Sequence, residues 1–123
     1  MDKSVTLQLP YPDSILSPNS AKRHWRAKQP AKKAAREYGY YAALPLRNTF
    51  IMLWMGGRLA MQMTICPPNR KQRDLDNVFS SMKSALDGMC QGLMIDDAQI
   101  RRVTLEWGGV VKNGQIEIEL REY

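Results

Sequence analysis

The chain alternates apolar and polar residues in four segments, the period of two that is typical of half-buried strands. Residues 5–9 predict a first strand, and residues 59–65 predict a second that stops at a pair of prolines. Residues 103–107 and 116–120 predict two more. Asn113-Gly114 lies between these last two segments and is a hairpin turn signal. The pattern therefore predicts four strands, the last two joined through a turn.

Helical composition or spacing marks two other segments. Residues 31–44 are rich in Ala, Lys, Arg and Glu and follow Pro30, a good first-turn residue, so they predict a helix that ends near Pro45. Residues 76–89 place their apolar side chains on one face and predict a single amphipathic helix. Residues 49–55 are apolar, and their pattern leaves a strand and a continuing helix equally open.

These elements predict an α+β (mixed α/β) fold in one small domain, in the order β-α-β-α-β-β. The length of 123 residues suits one domain, and 44% hydrophobic with 24% charged residues is ordinary globular composition. The first residues lack the apolar run of a signal peptide, and no stretch approaches about 18 apolar residues, so we expect a cytoplasmic protein without a membrane partner. Cys66 and Cys90 have no zinc-site spacing and are expected to be free thiols.

Basic residues outnumber acidic ones and are grouped along the chain. The formal net charge of +6 favours a polyanionic partner, although net charge alone is a weak signal. One group occupies residues 22–36, a second occupies residues 69–73, here called the basic loop, and a third is residues 101–102. A solvated helix face is the alternative for the first group. The candidate DNA contacts in these groups are Lys22, Arg23, Arg26, Lys28, Arg70, Lys71 and Arg73.

Two pairs of carboxylates flank the predicted amphipathic helix. Asp74 and Asp76 stand two residues apart, so in an extended chain both point to one side and can reach one Mg²⁺, a cation that proteins bind through one or two carboxylates. Helix capping is the alternative for either of them. Asp96 and Asp97 follow the helix and meet the first pair only if the chain folds back. Otherwise they form an acidic turn in water.

Both pairs lie in segments that resemble a known family. Residues 68–77 read PNRKQRDLDN and residues 92–100 read GLMIDDAQI. They resemble the R-D-x-D-N and D-D-x-Q boxes of the RusA-type Holliday junction resolvases of bacteria and their phages, at the same separation. Residues 9–12, which read LPYP, and the loop containing Asn19 resemble the proline-rich strand end and the Asn-containing loop of that family. The similarity is strong from residue 67 to residue 100.

The resemblance implies a mixed α/β fold in an intertwined homodimer that nicks two opposed strands of a four-way DNA junction. It implies a Mg²⁺ cofactor, with Mn²⁺ as a substitute cation, held by Asp74, Asp76 and Asp97 with Asp96 as a nearby helper. It also adds Asn19 to the candidate DNA contacts. The expected reaction is phosphodiester hydrolysis during recombination and repair.

One position departs from the family pattern. The family usually has a lysine four residues after the second Asp of the first box, and this chain has Ser80 there. On a continuous helix, Lys83 lies one turn further along the same polar stripe, so we predict that it partly replaces the missing catalytic cation. An ion pair between Lys83 and Asp87 is the alternative.

Two other functions fit the same sequence. Ser80 favours a protein that binds branched DNA without cutting it, and the charge alone allows a basic assembly module. The acidic boxes favour the enzyme, because carboxylates in a DNA-binding cleft repel phosphate unless a metal ion is present. The apolar residues 50–54 are assigned equally to a dimer interface or to the core.

Overall fold

The computed structural model describes residues 4–18, 25–54 and 56–123, with Trp54 as backbone only. The predicted DNA contacts Asn19, Lys22 and Arg23 lie outside the described residues. The described chain forms strands β1 (Ser4–Leu9), β2 (Leu59–Cys66), β3 (Ile100–Trp107) and β4 (Gln115–Glu122), and helices α1 (Trp25–Ala43), α2 (Arg47–Trp54), α3 (Leu75–Ser81) and α4 (Lys83–Leu93). The predicted α+β class is confirmed, but the order of elements is β-α-α-β-α-α-β-β and not the predicted β-α-β-α-β-β. None of these helices is long and apolar enough to cross a bilayer.

The described strands form one mixed sheet in the order β1-β4-β2-β3. Strand β4 runs antiparallel to β1 and β2, whereas β2 and β3 are parallel. The predicted hairpin between the last two strands is therefore wrong. Asn113 and Gly114 do have the positive φ values of a turn, but they lead β4 into the gap between β1 and β2. This insertion makes β4 a central strand and leaves β3 at an edge.

One face of the sheet carries the core. Val5, Leu7 and Leu9 are at most 5% exposed, while the residues between them face outward, as the alternation predicts. Helices α1 and α4 pack against each other more extensively than any other two helices. Their backbones come close enough that a Cβ on Gly88 would lie 1.9 Å from the carbonyl oxygen of Arg36. Glycine is therefore required at this crossing.

Helix α1 starts earlier than predicted, and a second helix follows it. Helix α1 begins at Trp25 rather than near residue 31, so Pro30 lies inside it. Proline removes one backbone hydrogen bond to the residue four positions earlier, and here the helix continues on both sides of that gap. The open question over residues 49–55 is answered by helix α2. Within it Phe50 is 1% exposed and belongs to the core, whereas Met52 is 85% exposed.

The single helix predicted over residues 76–89 is also wrong, because the chain forms two helices that meet at Met82. The Met82 N–H donates a hydrogen bond to the carbonyl oxygen of Phe79 at 3.0 Å, a tighter turn than that of an α-helix. The Met82 side chain is 1% exposed. The break lets α3 lie against β3 while α4 packs against α1.

Candidate active site

Asp74 lies at the start of α3 beside an open cavity of about 700 Å³. Its backbone occupies the N-cap position, but its side chain caps no backbone N–H. Instead, Oδ2 accepts a hydrogen bond from Nδ2 of Asn77 at 3.2 Å. The capping alternative therefore does not account for this carboxylate, which is exposed beside Lys71 and Arg73. A second carboxylate, Asp13, lines the same cavity.

Arg73 stabilises the shape of the basic loop through hydrogen bonds of its side chain. Its guanidinium donates hydrogen bonds to the carbonyl oxygens of Asn69 (3.1 Å) and Lys71 (2.8 Å) and to Oδ1 of Asn69 (2.7 Å). The same Oδ1 accepts the Lys71 N–H at 3.0 Å. The guanidinium carbon also lies 5.8 Å from the centre of the Tyr11 ring, within cation–π range. Arg73 thus shapes the loop, while Arg70 and Lys71 stay exposed on its surface.

Asp97 lines a different cavity, of about 410 Å³. The same cavity is also lined by Ser80, Lys83 and Asp87. Ser80, which occupies the family's lysine position, and Lys83 therefore line one cavity although the helix breaks between them. Within the described structure, no ion pair joins Lys83 to Asp87. The alternative in which these two residues pair is therefore not seen here.

The carboxylates around this second cavity make the electrostatic potential at the Cys90 thiol negative. Burial, followed by the charges of Asp97, Asp87 and Asp96, raises the pKa of the Cys90 thiol from 9.0 to about 11. Those carboxylates disfavour a thiolate because they repel a further negative charge. The same charges favour a cation at the cavity.

Asp96 belongs to the turn that carries Asp97. Its Oδ1 accepts the Ala98 N–H at 2.9 Å, and its own N–H donates to Oε1 of Gln99 at 2.9 Å, a capping box. Nε2 of Gln99 donates to the carbonyl oxygen of Gly57 at 2.8 Å, which fastens the turn beside the start of β2. The Asp96 side chain is engaged in this turn, whereas Asp97 is exposed at the cavity.

The three predicted ligands lie at or near α3, with Asp74 at its N-cap position, Asp76 in its first turn and Asp97 at a cavity that the helix lines. The cavity of Asp74 meets the helix at Asn77, and the cavity of Asp97 meets it on another side, at Ser80. Asp76 is four residues before Ser80, so helical spacing places it on the Asp97 side. Among the described residues, no three or more His, Cys, Asp or Glu side chains gather as a metal site.

Two residues of the first basic group that the structure describes can be compared with these cavities. Arg26 and Lys28 are in the first turns of α1, and neither lines the cavity of Asp74 or that of Asp97. Arg26 lies 5.6 Å from the centre of the Trp25 ring.

Comparison with known proteins assigns the family. A family model described as Endodeoxyribonuclease RusA matches residues 13–121. The chain belongs to the RusA endodeoxyribonuclease family. The resemblance carried by the two boxes is therefore confirmed, as is the prediction of a nuclease.

Relatives of the RusA family match along most of the chain. An uncharacterized protein of Xylella fastidiosa is 34% identical over 115 residues, 94% of this chain and 74% of its own. The crossover junction endodeoxyribonuclease RusA of Escherichia coli is 26% identical over 120 residues, 97% of this chain and 95% of its own. The protein of that name in Shigella sonnei is 25% identical over the same length. A thiamine-monophosphate kinase of Stenotrophomonas maltophilia overlaps with 12% identity and a TM-score of 0.34, too distant to indicate a shared fold.

Sequence reasoning identified the charged residues of the two RusA boxes and missed the residues that hold them. Asn77 contacts Asp74, Gln99 fastens the second turn, and the Tyr11 ring lies beside the Arg73 guanidinium. Asn77 and Gln99 could have been identified as the polar uncharged residues of the two boxes. Nothing in the sequence indicates that Tyr11 lies beside the basic loop.

Proposed function

We propose that this chain is a Mg²⁺-dependent, structure-specific endodeoxyribonuclease that resolves four-way DNA junctions by paired nicks in recombination and repair. The observation that carries this is the exposed Asp74 carboxylate, which caps no helix and lines an open cavity with Lys71 and Arg73. A carboxylate beside cations at a DNA surface suits a metal-assisted phosphodiester reaction. The Escherichia coli relative is a crossover junction endodeoxyribonuclease, which supports a crossover junction as the substrate.

The proposed ligands of the cation are Asp74, Asp76 and Asp97, with Asp96 as a helper, although Asp74 and Asp97 line separate cavities in the described structure. The donors fit, because all four are exposed carboxylates and Mg²⁺ takes hard oxygen ligands. A cluster of three is not required, since Mg²⁺ commonly uses one or two carboxylates and completes its octahedron with water and phosphate oxygens. When bound, Mg²⁺ or Mn²⁺ polarises the scissile phosphate and lowers the pKa of a bound water. Asn77 meanwhile keeps one oxygen of Asp74 oriented.

Phosphate contacts come from two surfaces. Arg70 and Lys71 are exposed beside the Asp74 cavity and would bind phosphates next to the cut, with Arg73 holding their loop. Such contacts fix register without reading sequence. The first basic group would bind a more distant arm of the junction, through Lys22, Arg23, Arg26 and Lys28, and Asn19 is a further proposed DNA contact.

Lys83 is proposed as a catalytic cation. It lines the cavity of Asp97 together with Ser80, where the family usually has lysine. A cation there stabilises charge that develops on the phosphate in the transition state.

We also propose that the enzyme is an intertwined homodimer. A four-way junction presents strands related by approximate two-fold symmetry, and an isologous dimer presents two active sites to them. Met52, 85% exposed on α2, is an apolar contact available to a second copy, whereas the neighbouring Phe50 is committed to the core. Sedimentation that shows only monomer at micromolar concentration, with and without DNA, would refute the dimer.

The test of the active site is cleavage of a synthetic four-way junction, with a linear duplex of the same sequence as the comparison substrate. The parent should cut the junction only in Mg²⁺ or Mn²⁺, and Asp74→Asn, Asp76→Asn and Asp97→Asn should each abolish cutting. Metal-free binding should stay equal or become tighter, because each change removes a negative charge near phosphate. Glu106→Gln is the matched control, since Glu106 is an exposed carboxylate on β3 that lines neither the Asp74 cavity nor the Asp97 cavity.

The possible results separate the candidate functions. If all three variants cut at the parent rate, the assignment of the site is wrong. If the parent binds the junction and leaves it uncut in both metals, the chain is a junction-binding protein without cleavage activity.

A further inference from the structure

Trp107 is an exposed aromatic residue beside the basic loop. It is the last residue of the edge strand β3 and is 42% exposed. Together with Val110, which is 51% exposed, and Pro67, it lines a cavity of about 250 Å³ whose remaining wall is residues 69–73. Trp107 and Val110 are here called the ledge.

The backbone around the ledge is fixed on both sides. Trp107 pairs with Ile65 in the parallel ladder, and the next residue, Gly108, donates its N–H to the carbonyl oxygen of Ile65 at 2.8 Å. The Val111 N–H donates to the carbonyl oxygen of Pro67 at 3.0 Å. The indole is therefore carried by paired backbone, which reduces the entropy lost when a ligand packs on it.

We propose that the ledge binds the open face of a DNA base at a branch point while Arg70 and Lys71 bind the adjacent phosphates. This rests on the proposed function and adds a specificity-determining residue to it. Aromatic side chains stack on every base, because each base has a π-face, so this contact recognises an open stack and not a sequence. Inside a linear duplex both faces of every base are covered by neighbours, whereas a branch interrupts the stack of an arm. Trp107 thus favours branched over linear DNA.

Charge favours DNA over a second copy of the chain as the occupant. Three cations and no carboxylate line the cavity. A two-fold interface centred here would place these cations opposite an identical set, and like charges repel. A nucleic acid brings a phosphate of opposite charge beside each base.

The experiment measures metal-free binding by fluorescence anisotropy, so that no cleavage occurs. The ligands are a four-way junction, a linear duplex and a single-stranded oligonucleotide, each with 2-aminopurine at one position, which is the branch point in the junction. The proteins are the parent, Trp107→Ala and Trp107→Phe, with Tyr41→Ala as the control because Tyr41 is also an exposed aromatic residue, on α1. Thermal unfolding checks that each variant folds.

We expect Trp107→Ala to lose about tenfold in affinity for the junction and the single strand and less than about twofold for the duplex. Trp107→Phe should keep most of the affinity, because it keeps a π-face. The 2-aminopurine signal should change when the parent binds the junction and should not change with Trp107→Ala.

Equal losses on all three ligands, or no loss, would overturn the proposal. A slower-sedimenting Trp107→Ala variant with parental DNA affinity would assign the ledge to contact between copies and also overturn it. If the parent leaves the junction uncut in Mg²⁺ and in Mn²⁺, the proposed function fails, and the affinity for the single strand alone then decides whether the ledge stacks on bases.

Discussion

Replacing Lys83 with alanine tests whether the cavity of Asp97 supplies a cation to the reaction. Lys83 is exposed, lines that cavity beside Ser80, and forms no ion pair with Asp87 in the described structure. Its long flexible stem lets the ammonium reach a phosphate held at the mouth of the cavity.

The expected size of the effect follows from the exposure of the side chain. Two unit charges 4 Å apart interact by about 1 kcal/mol in water and by about 4 kcal/mol near a protein surface. An exposed lysine that lines a cavity belongs between these two values, and about 1.4 kcal/mol already corresponds to a tenfold change in rate. We therefore expect Lys83→Ala to slow cleavage about tenfold or more. Junction affinity should change much less, because only one of 18 cationic side chains is removed.

The assay is single-turnover cleavage of a four-way junction at saturating protein, which separates the chemical step from binding. Lys112→Ala is the matched control, since it removes an exposed charge from the turn before β4 that lines neither acidic cavity. Ser80→Lys in the Lys83→Ala background should restore the rate by returning a cation to the family's position. Equal rates for Lys83→Ala and the parent would show that Lys83 is only a surface residue.

Three further changes test the packing, the field and the basic loop. Gly88→Ala places a Cβ against the backbone of α1 and should lower the free energy of unfolding by about 2 kcal/mol or more. Gly109→Ala should change it little, because a Cβ there would have nothing within 4 Å. Equal denaturant midpoints for the two variants would contradict the close crossing of α1 and α4. The raised pKa of the Cys90 thiol means that the folded chain holds this proton more tightly than the unfolded chain does. The free energy of unfolding should therefore fall as pH rises from 9.0 to about 11, by up to about 3 kcal/mol. Cys90→Ala should flatten this fall, which urea titrations at successive pH values measure. Arg73→Lys should impair cleavage as much as Arg73→Ala, because lysine lacks the fork that bonds Asn69; a fully active lysine variant would instead make this residue a simple phosphate contact.

The amino-acid sequence determined the local features of this protein. Alternation in residues 5–9 specified which side of β1 is buried, because side chains in a strand point to opposite faces in turn. The two acidic boxes gave the family, which the match over residues 13–121 confirmed, because a motif is a property of neighbouring residues. The positive φ values of Asn113 and Gly114 also followed from their residue types.

Tertiary structure alone decided which elements meet. Asn113-Gly114 turns the chain as expected, yet β4 pairs between β1 and β2, where both of its edges are hydrogen-bonded and Ile118 is fully buried. The helical spacing of residues 76–89 does not show the break at Met82, which depends on α3 and α4 packing against different partners. Strand pairing and helix packing are contacts between residues distant in sequence, so no local pattern placed Asp74 and Asp97 at separate cavities around α3.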